Sequence, residues 1–249
     1  MSTVKEVIES KISPIVIDFS DVHFFDSETK IVRSFLTANT LDLGVLGYAQ
    51  YRFVARRTKV GDQLVRRHLE KLFRMIPDIL TKYPDVACFT VPVYARLLTD
   101  NLLLSMLVDM ISLYPDVPPS KICIELSADI LYEELSEASK SIDALRALGV
   151  RVAISEVGDQ FCPVFRLSEF KFDYAFMDHY STASLGTDDQ ERIAGSLVKY
   201  LHYLDARVVA PGLETDAKIN GAKAIGADGY TTDVLLSDAL IGGVEEDEE

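Results

Sequence analysis

From residue 84 onward, short β-rich apolar runs alternate with helical stretches, and this alternation predicts a parallel sheet wrapped by helices. The strand candidates are Val86–Val91, Ile122–Leu126, Val150–Ile154, Tyr174–Met177, Arg207–Ala210 and a short one at Gly229–Thr231. Helices are predicted near Asp100–Leu113, Asp129–Leu148, Gln190–Leu204 and Asp216–Ile225, each ending near a glycine, proline or aspartate that turns the chain into the next strand. With 249 residues, 48% of them hydrophobic, the chain can bury the core of one large domain, either a barrel or an open α/β sheet.

The first third is less regular. Pro14–Phe19 reads as a strand and Ser27–Ala38 as a helix with Ile31, Val32, Phe35 and Leu36 on one face. A further strand is expected over Val45–Ala55. Asp62–Lys82 reads as a helix with Leu64, Val65, Leu69, Leu72, Phe73, Ile76 and Ile79 at helical spacing, and Pro77 is expected to kink or end it.

A formal charge of −14 repels phosphate backbones and anionic membranes at long range, which argues against nucleic-acid and membrane partners. The cysteines Cys88, Cys123 and Cys162 are widely spaced and lack CxxC spacing, as expected of buried thiols in a reducing compartment. The start of the chain has no basic segment followed by an apolar one, and no run reaches the ~20 apolar residues of a membrane span. A cytoplasmic location is the expectation.

Four segments then narrow the choice. Val91-Pro92-Val93-Tyr94-Ala95-Arg96-Leu97-Leu98 is followed by Ile122-Cys123-Ile124-Glu125-Leu126-Ser127. Leu145-Arg146-Ala147-Leu148-Gly149-Val150-Arg151-Val152-Ala153-Ile154-Ser155-Glu156-Val157-Gly158 continues through Phe172-Asp173-Tyr174-Ala175-Phe176-Met177-Asp178. Last come Val208-Val209-Ala210-Pro211-Gly212-Leu213-Glu214-Thr215 and Gly229-Tyr230. In order and spacing these resemble the landmarks V-N-L-S-A, L-E-L-E-I-T-E, L-R-x-L-G-V-x-I-A-L-D-D-F-G with V-D-Y-L-K-I-D, and V-I-A-E-G-V-E-T with Q-G-Y of the EAL family of cyclic-di-GMP phosphodiesterases.

The resemblance implies a TIM-like (β/α) barrel, modified or incomplete at its N-terminal part. It divides the chain into a strand-helix extension over residues 1–40, a degenerate EAL-like barrel over 41–244, and a frayed acidic tail, Glu245–Glu249. It also implies a site in which carboxylates and one asparagine at the C-terminal strand ends hold two divalent metals, while a lysine helps activate the attacking water.

Carried over residue by residue, that site is depleted. The asparagine position holds Pro92, the paired aspartates are Ser155 and Glu156, the glutamate of A-E-G-V-E-T is Pro211, and the lysine is Phe176. For the E-A-L signature the best candidate is Gln63-Leu64-Val65, and Tyr48-Ala49-Gln50 stands near the family's Y-x-Q strand. Glu125, Glu156, Asp178 and Glu214 remain as a vestigial pocket, with Gln50 and Arg96 as candidate ligand contacts. Neither a metal nor a cofactor is expected. Glu125 and Glu156 read first as structural carboxylates bound to neighbouring hydroxyls or solvent at the barrel mouth, with a vestigial Mg²⁺ site at Glu125 as the alternative.

The histidines, His23, His68, His179 and His202, lack metal-ligand spacing and suit surface or capping roles. Arg52, Arg56, Arg57, Lys59, Arg66, Arg67 and Lys71 fall in a stretch whose only acids are Asp62 and Glu70. That cluster is either a solvated helix face or a docking patch marked by Arg56, Arg57, Arg66 and Arg67. The expected function is that of a catalytically inactive EAL-like protein that binds a regulatory protein partner or pairs as a homodimer. A cyclic-di-GMP receptor that does not hydrolyse its ligand is the alternative.

Overall fold

The computed structural model describes residues 15–40, 44–159, 162–183, 185 and 188–232; the acidic tail expected at Glu245–Glu249 lies outside them. Eight strands close into a barrel: β1 (Ile15–Phe24), β2 (Lys30–Thr40), β4 (Val86–Val93), β5 (Ile122–Ser127), β6 (Arg151–Val157), β7 (Tyr174–Met177), β8 (Arg207–Ala210) and β9 (Gly229–Tyr230). From β2 through β4 to β9 each neighbour is parallel, whereas β1 runs antiparallel to both β2 and β9. A short β3 (Gly44–Leu46) hangs antiparallel on β2 outside the ring. The barrel is thus closed, and its modification is the antiparallel first strand.

The helices are α1 (Tyr48–Arg57), α2 (Val60–Lys82), α3 (Ala95–Thr99), α4 (Leu102–Leu113), α5 (Leu135–Ala147), α6 (His179–Ala183), α7 (Asp188–Tyr203) and α8 (Asp216–Ala224). Among the described residues no helix is long and apolar enough to cross a membrane. The strands predicted from β4 onward fall where they were expected, and Tyr174–Met177 and Arg207–Ala210 match to the residue. Their two-residue side-chain period divides the apolar residues into two cores. Val32, Leu36, Phe89, Val91, Ile122, Ile124, Val152 and Val208 face outward into the layer shared with the helices. Val22, Phe24, Ile31, Cys88, Cys123, Ala153, Tyr174, Phe176 and Val209 fill the lumen.

Three expectations for the first third are corrected. Ser27–Ala38 is not a helix; its residues from Lys30 belong to strand β2, pairing from Ile31 with Val22 to Ala38 with Ile15. Ile31, Val32, Phe35 and Leu36 mimicked a helical face because a barrel strand buries both of its faces and loses clean alternation. Val45–Ala55 is a strand only as far as Leu46, after which α1 begins. The Gln50 side chain reaches back to accept the Gly47 backbone N–H at 2.6 Å and starts that helix. The segment 15–40 is therefore no extension: β1 and β2 are two of the eight staves.

Helix α2 buries Leu64, Val65, His68, Leu69, Leu72, Phe73, Ile76 and Ile79 against the sheet and runs through Pro77 to Lys82. The turn between α1 and α2 is tight enough to require Gly61. A Cβ there would lie 2.3 Å from the Ala55 carbonyl oxygen and 2.9 Å from the Tyr94 ring.

Candidate functional site

The parallel strands end together at one mouth, where α1, the ends of β2, β5, β6 and β7 and the loops after β7 and β8 converge on a cavity of about 230 Å³. Its floor is built from consecutive inward positions on different strands: Arg33 and Phe35 on β2, Glu125 on β5, Ser155 on β6, Phe176 on β7 and Pro211 just beyond β8. Thr90 on β4 lies between Arg33 and Glu125, since β4 separates β2 from β5 in the ring.

The floor is closed by a buried ion pair. Arg33 Nε donates to Glu125 Oε2 at 3.1 Å and Arg33 Nη2 to Glu125 Oε1 at 2.5 Å, a bidentate fork, while Thr90 Oγ1 donates to Oε2 at 2.8 Å. Arg33 is 9% exposed and Glu125 3%. The guanidinium carbon sits 4.4 Å from the Phe176 ring centroid and 5.0 Å from that of Phe35. Two aromatic faces and a carboxylate thus replace the water that a buried cation loses.

A second set of charges lies at the rim. Arg52 pairs with Glu156, and Arg56 reaches both Glu156 Oε2 at 3.4 Å and Asp129 Oδ2 at 3.2 Å. Asp129 also accepts the Ser127 hydroxyl. Glu156 has φ of 63°, a left-handed conformation unfavourable for a side chain with a Cβ, at the point where the β6–β7 ladder slips between Ile154 and Val157. That slip swings its carboxylate toward α1, so α1 is pinned across the mouth by ionic contacts. Tyr48 of α1 lines the same cavity, and burial pushes its phenol well above the usual tyrosine range.

On the opposite face of β2 the polar group next to Arg33 is neutral. Ser34 Oγ donates to the Thr90 carbonyl at 2.5 Å and lies 2.7 Å from His68 Nε2. The single hydroxyl proton is used on Thr90, so His68 Nε2 must be the protonated ring nitrogen donating to Ser34. Burial without a charged partner lowers the His68 pKa to about 3.

The structure brings some of the expected site together and disperses the rest. Glu125, Glu156 and Asp178 line the mouth cavity, whereas Glu214 is exposed in the loop after β8 and does not line it. Gln50 caps α1 and is exposed. Arg96 is held by Asp62 and by the Thr58 carbonyl, also off the cavity. Gln63 is exposed on α2 while Leu64 and Val65 are buried beneath it, so that triplet is not at the mouth. Arg56 belongs to the rim and not to an outward patch; Arg57 and Arg66 are exposed and Arg67 is half-buried. Arg33, Thr90 and Arg52 were missed as mouth residues. The available signal was Arg33 itself, a lone charge between Ile31-Val32 and Phe35-Leu36.

A divalent pair does not fit the side chains present. Glu125 has both oxygens engaged by Arg33 and Thr90, Glu156 is engaged by two arginines, and Pro92 and Pro211 offer no side-chain oxygen. No group of three or more His, Cys, Asp or Glu suited to a metal occurs among the described residues.

Residues 29–231 match the family model of the EAL domain. The chain belongs to the EAL domain family. Signaling protein YkoW of Bacillus subtilis (strain 168) is 26% identical over 129 residues, 50% of this chain and 16% of the relative. An uncharacterized signaling protein of Caulobacter vibrioides is 28% identical over 120 residues, 48% of this chain and 15% of the relative. The chain therefore spans a small part of the length of these relatives. Among solved structures, the PaMucR phosphodiesterase in complex with c-di-GMP superposes with a TM-score of 0.83 at 17% identity, covering 94% of this chain and 96% of that one. The FimX EAL domain from Pseudomonas aeruginosa bound to c-di-GMP gives 0.76 at 15% identity, with 92% of each chain covered. At such identities the structural likeness establishes the fold, an EAL-type TIM barrel.

Proposed function

We propose that this EAL domain is catalytically inactive and acts by contact with a regulatory protein. The observation that carries the reading is the Arg33–Glu125 pair: a fixed guanidinium occupies the carboxylate on which a metal would have to settle. At the mouth end of β2 the two inward side chains are Arg33 and Phe35, a cation and an aromatic ring, and neither is a carboxylate that could serve a metal. Phe176, in the lysine position, supplies an aromatic face to the same guanidinium and cannot carry a proton. The lost ligand and the lost base are thus filled by groups that stabilise one another. A mouth of about 230 Å³ is also below the roughly 300–1,000 Å³ of ordinary ligand pockets.

Two measurements test this. Incubation with cyclic-di-GMP and Mg²⁺ or Mn²⁺ is expected to give no linear or mononucleotide product, and turnover that disappears in Glu125→Ala would overturn the reading. Calorimetry with cyclic-di-GMP, with and without Mg²⁺, is expected to be silent. Saturable heat without turnover would instead favour a receptor, the ligand seen in the PaMucR and FimX complexes being the reason to look.

A further inference from the structure

Six of the thirteen arginines in this chain are tied to carboxylates. Arg33, Arg52, Arg56, Arg96, Arg146 and Arg207 each hold an aspartate or glutamate. The end of α1 and the outer side of α2 differ: Arg57, Lys59, Arg66, Arg67, Lys71 and Arg74 have no ion pair among the described residues. All are exposed except the half-buried Arg67. The same stretch of α2 presents Glu70 and Asp78, so the face keeps a clear positive excess on a chain of charge −14. Unpaired like charges on one face repel one another, and a ligand carrying the opposite charge relieves that repulsion.

The chain itself contains such a ligand. Glu245-Glu246-Asp247-Glu248-Glu249 is an unbroken acidic run, and residues 233–249 contain no lysine or arginine. The described chain reaches Thr232 just beyond β9, at the mouth end of the barrel, where α2 also begins. In the ring β9 is separated from β2 by β1 alone, and β1, β2 and β4 are the strands that α2 covers. The stretch 233–244 can span about 40 Å when extended. Crossing two strand spacings and one sheet-to-helix layer needs about 20 Å. At that reach, α2 is accessible to a run tethered beyond Thr232 at an effective concentration of the order of millimolar.

We propose that the outer face of α2 is a docking surface for an acidic protein segment, and that the chain's own Glu245–Glu249 occupies it. The proposal rests on the protein-contact reading above and adds its regulation: an acidic partner reaches this face by displacing the intramolecular segment.

The test is zero-length carbodiimide coupling of the full chain, which joins a carboxylate to a lysine Nζ as an amide. Glu245–Glu249 are expected to link to Lys59 or Lys71, with a yield independent of protein concentration and falling several-fold between about 50 and about 500 mM salt. Replacing Arg57, Arg66, Arg67 and Arg74 by glutamate should remove the link while the melting temperature holds. Links spread over remote lysines such as Lys140, Lys171 and Lys199, or a yield that rises with concentration, would overturn the proposal, the latter by pointing to a second copy. In a parallel arm, a labelled hexaglutamate peptide should bind a variant with the five acids neutralised to Gln or Asn at least about tenfold more tightly than the unaltered chain. Equal binding to both, or no binding to either, would also overturn it. Cyclic-di-GMP turnover, which sinks the protein-contact reading, is read in a separate assay, so the two failures are told apart.

Discussion

The floor and the rim of the barrel mouth are both held by arginine–carboxylate pairs, yet they are different physical objects. On the floor, Arg33 and Glu125 are nearly sealed from water and stacked by Phe35 and Phe176. At the rim, the side chains of Arg52, Arg56, Glu156 and Asp129 remain 22–30% exposed. In the floor pair each partner exists to neutralise the other, because an isolated buried ion is far costlier than the pair. In the rim pairs water already does most of that work, and the contacts chiefly fix where α1 lies. Similar charges therefore give a structural element inside and a position-setting latch outside.

The sharpest way to break the comparison is to remove one partner on the floor. Arg33→Ala should destabilise the fold by about 3–5 kcal/mol in chemical denaturation, because Glu125 is left buried and unpaired. The double variant Arg33→Met with Glu125→Leu should recover most of that loss; equal damage in both would show that packing rather than charge dominates the floor.

Acid probes the neutral counterpart on the outer face of β2. His68 has its folded pKa lowered from 6.5 to about 3, so folding is favoured above pH 6.5 and the advantage is lost as pH falls toward 3, where only the unfolded chain has already taken up the proton. Stability measured across that window should slope by about one proton, and His68→Gln should flatten the slope. An unchanged slope would assign acid sensitivity to other groups.

The rim should give the smallest effect. Arg52→Ala is expected to cost no more than about 1 kcal/mol, with the difference shrinking at high salt. A loss comparable to that of Arg33→Ala would mean that floor and rim are one network.

The sequence was readable where one strand follows another in parallel through a helix. There the apolar runs are short, the turns carry glycine or proline, and β4 to β9 are legible from the residues alone. The strand at Pro14–Phe19 was legible too, as part of β1, but the sequence was opaque over 27–57, where local pattern and tertiary demand diverge. Ile31, Val32, Phe35 and Leu36 satisfy a helical face and a doubly buried strand equally well, and only pairing with β1 decides between them. Misplacing β2 hid Arg33, and with it the meaning of Glu125: the carboxylate was identified from the family landmarks, but its partner stood 92 residues upstream in a presumed helix. The basic stretch was visible as composition. That Arg52 and Arg56 turn to the mouth while Arg57 points to solvent depends on α1 being a helix, where the residues alone suggest a strand.

The antiparallel β1 has a consequence for how the molecule is made. Its partner β2 follows immediately in sequence, so that hairpin can form as soon as it is synthesised, but its other partner is the two-residue β9 near the far end of the described chain. Until Gly229 and Tyr230 have emerged, β1 and β8 are open sheet edges, and pairing to another chain competes with closure. Closure is then sterically exacting: a Cβ at residue 229 would sit 2.6 Å from the His23 carbonyl oxygen, so only glycine lets the last strand seat against the first. Among the described strands this seam is both the last pairing that synthesis allows and one of the least tolerant, which gives that contact a slow, non-local character.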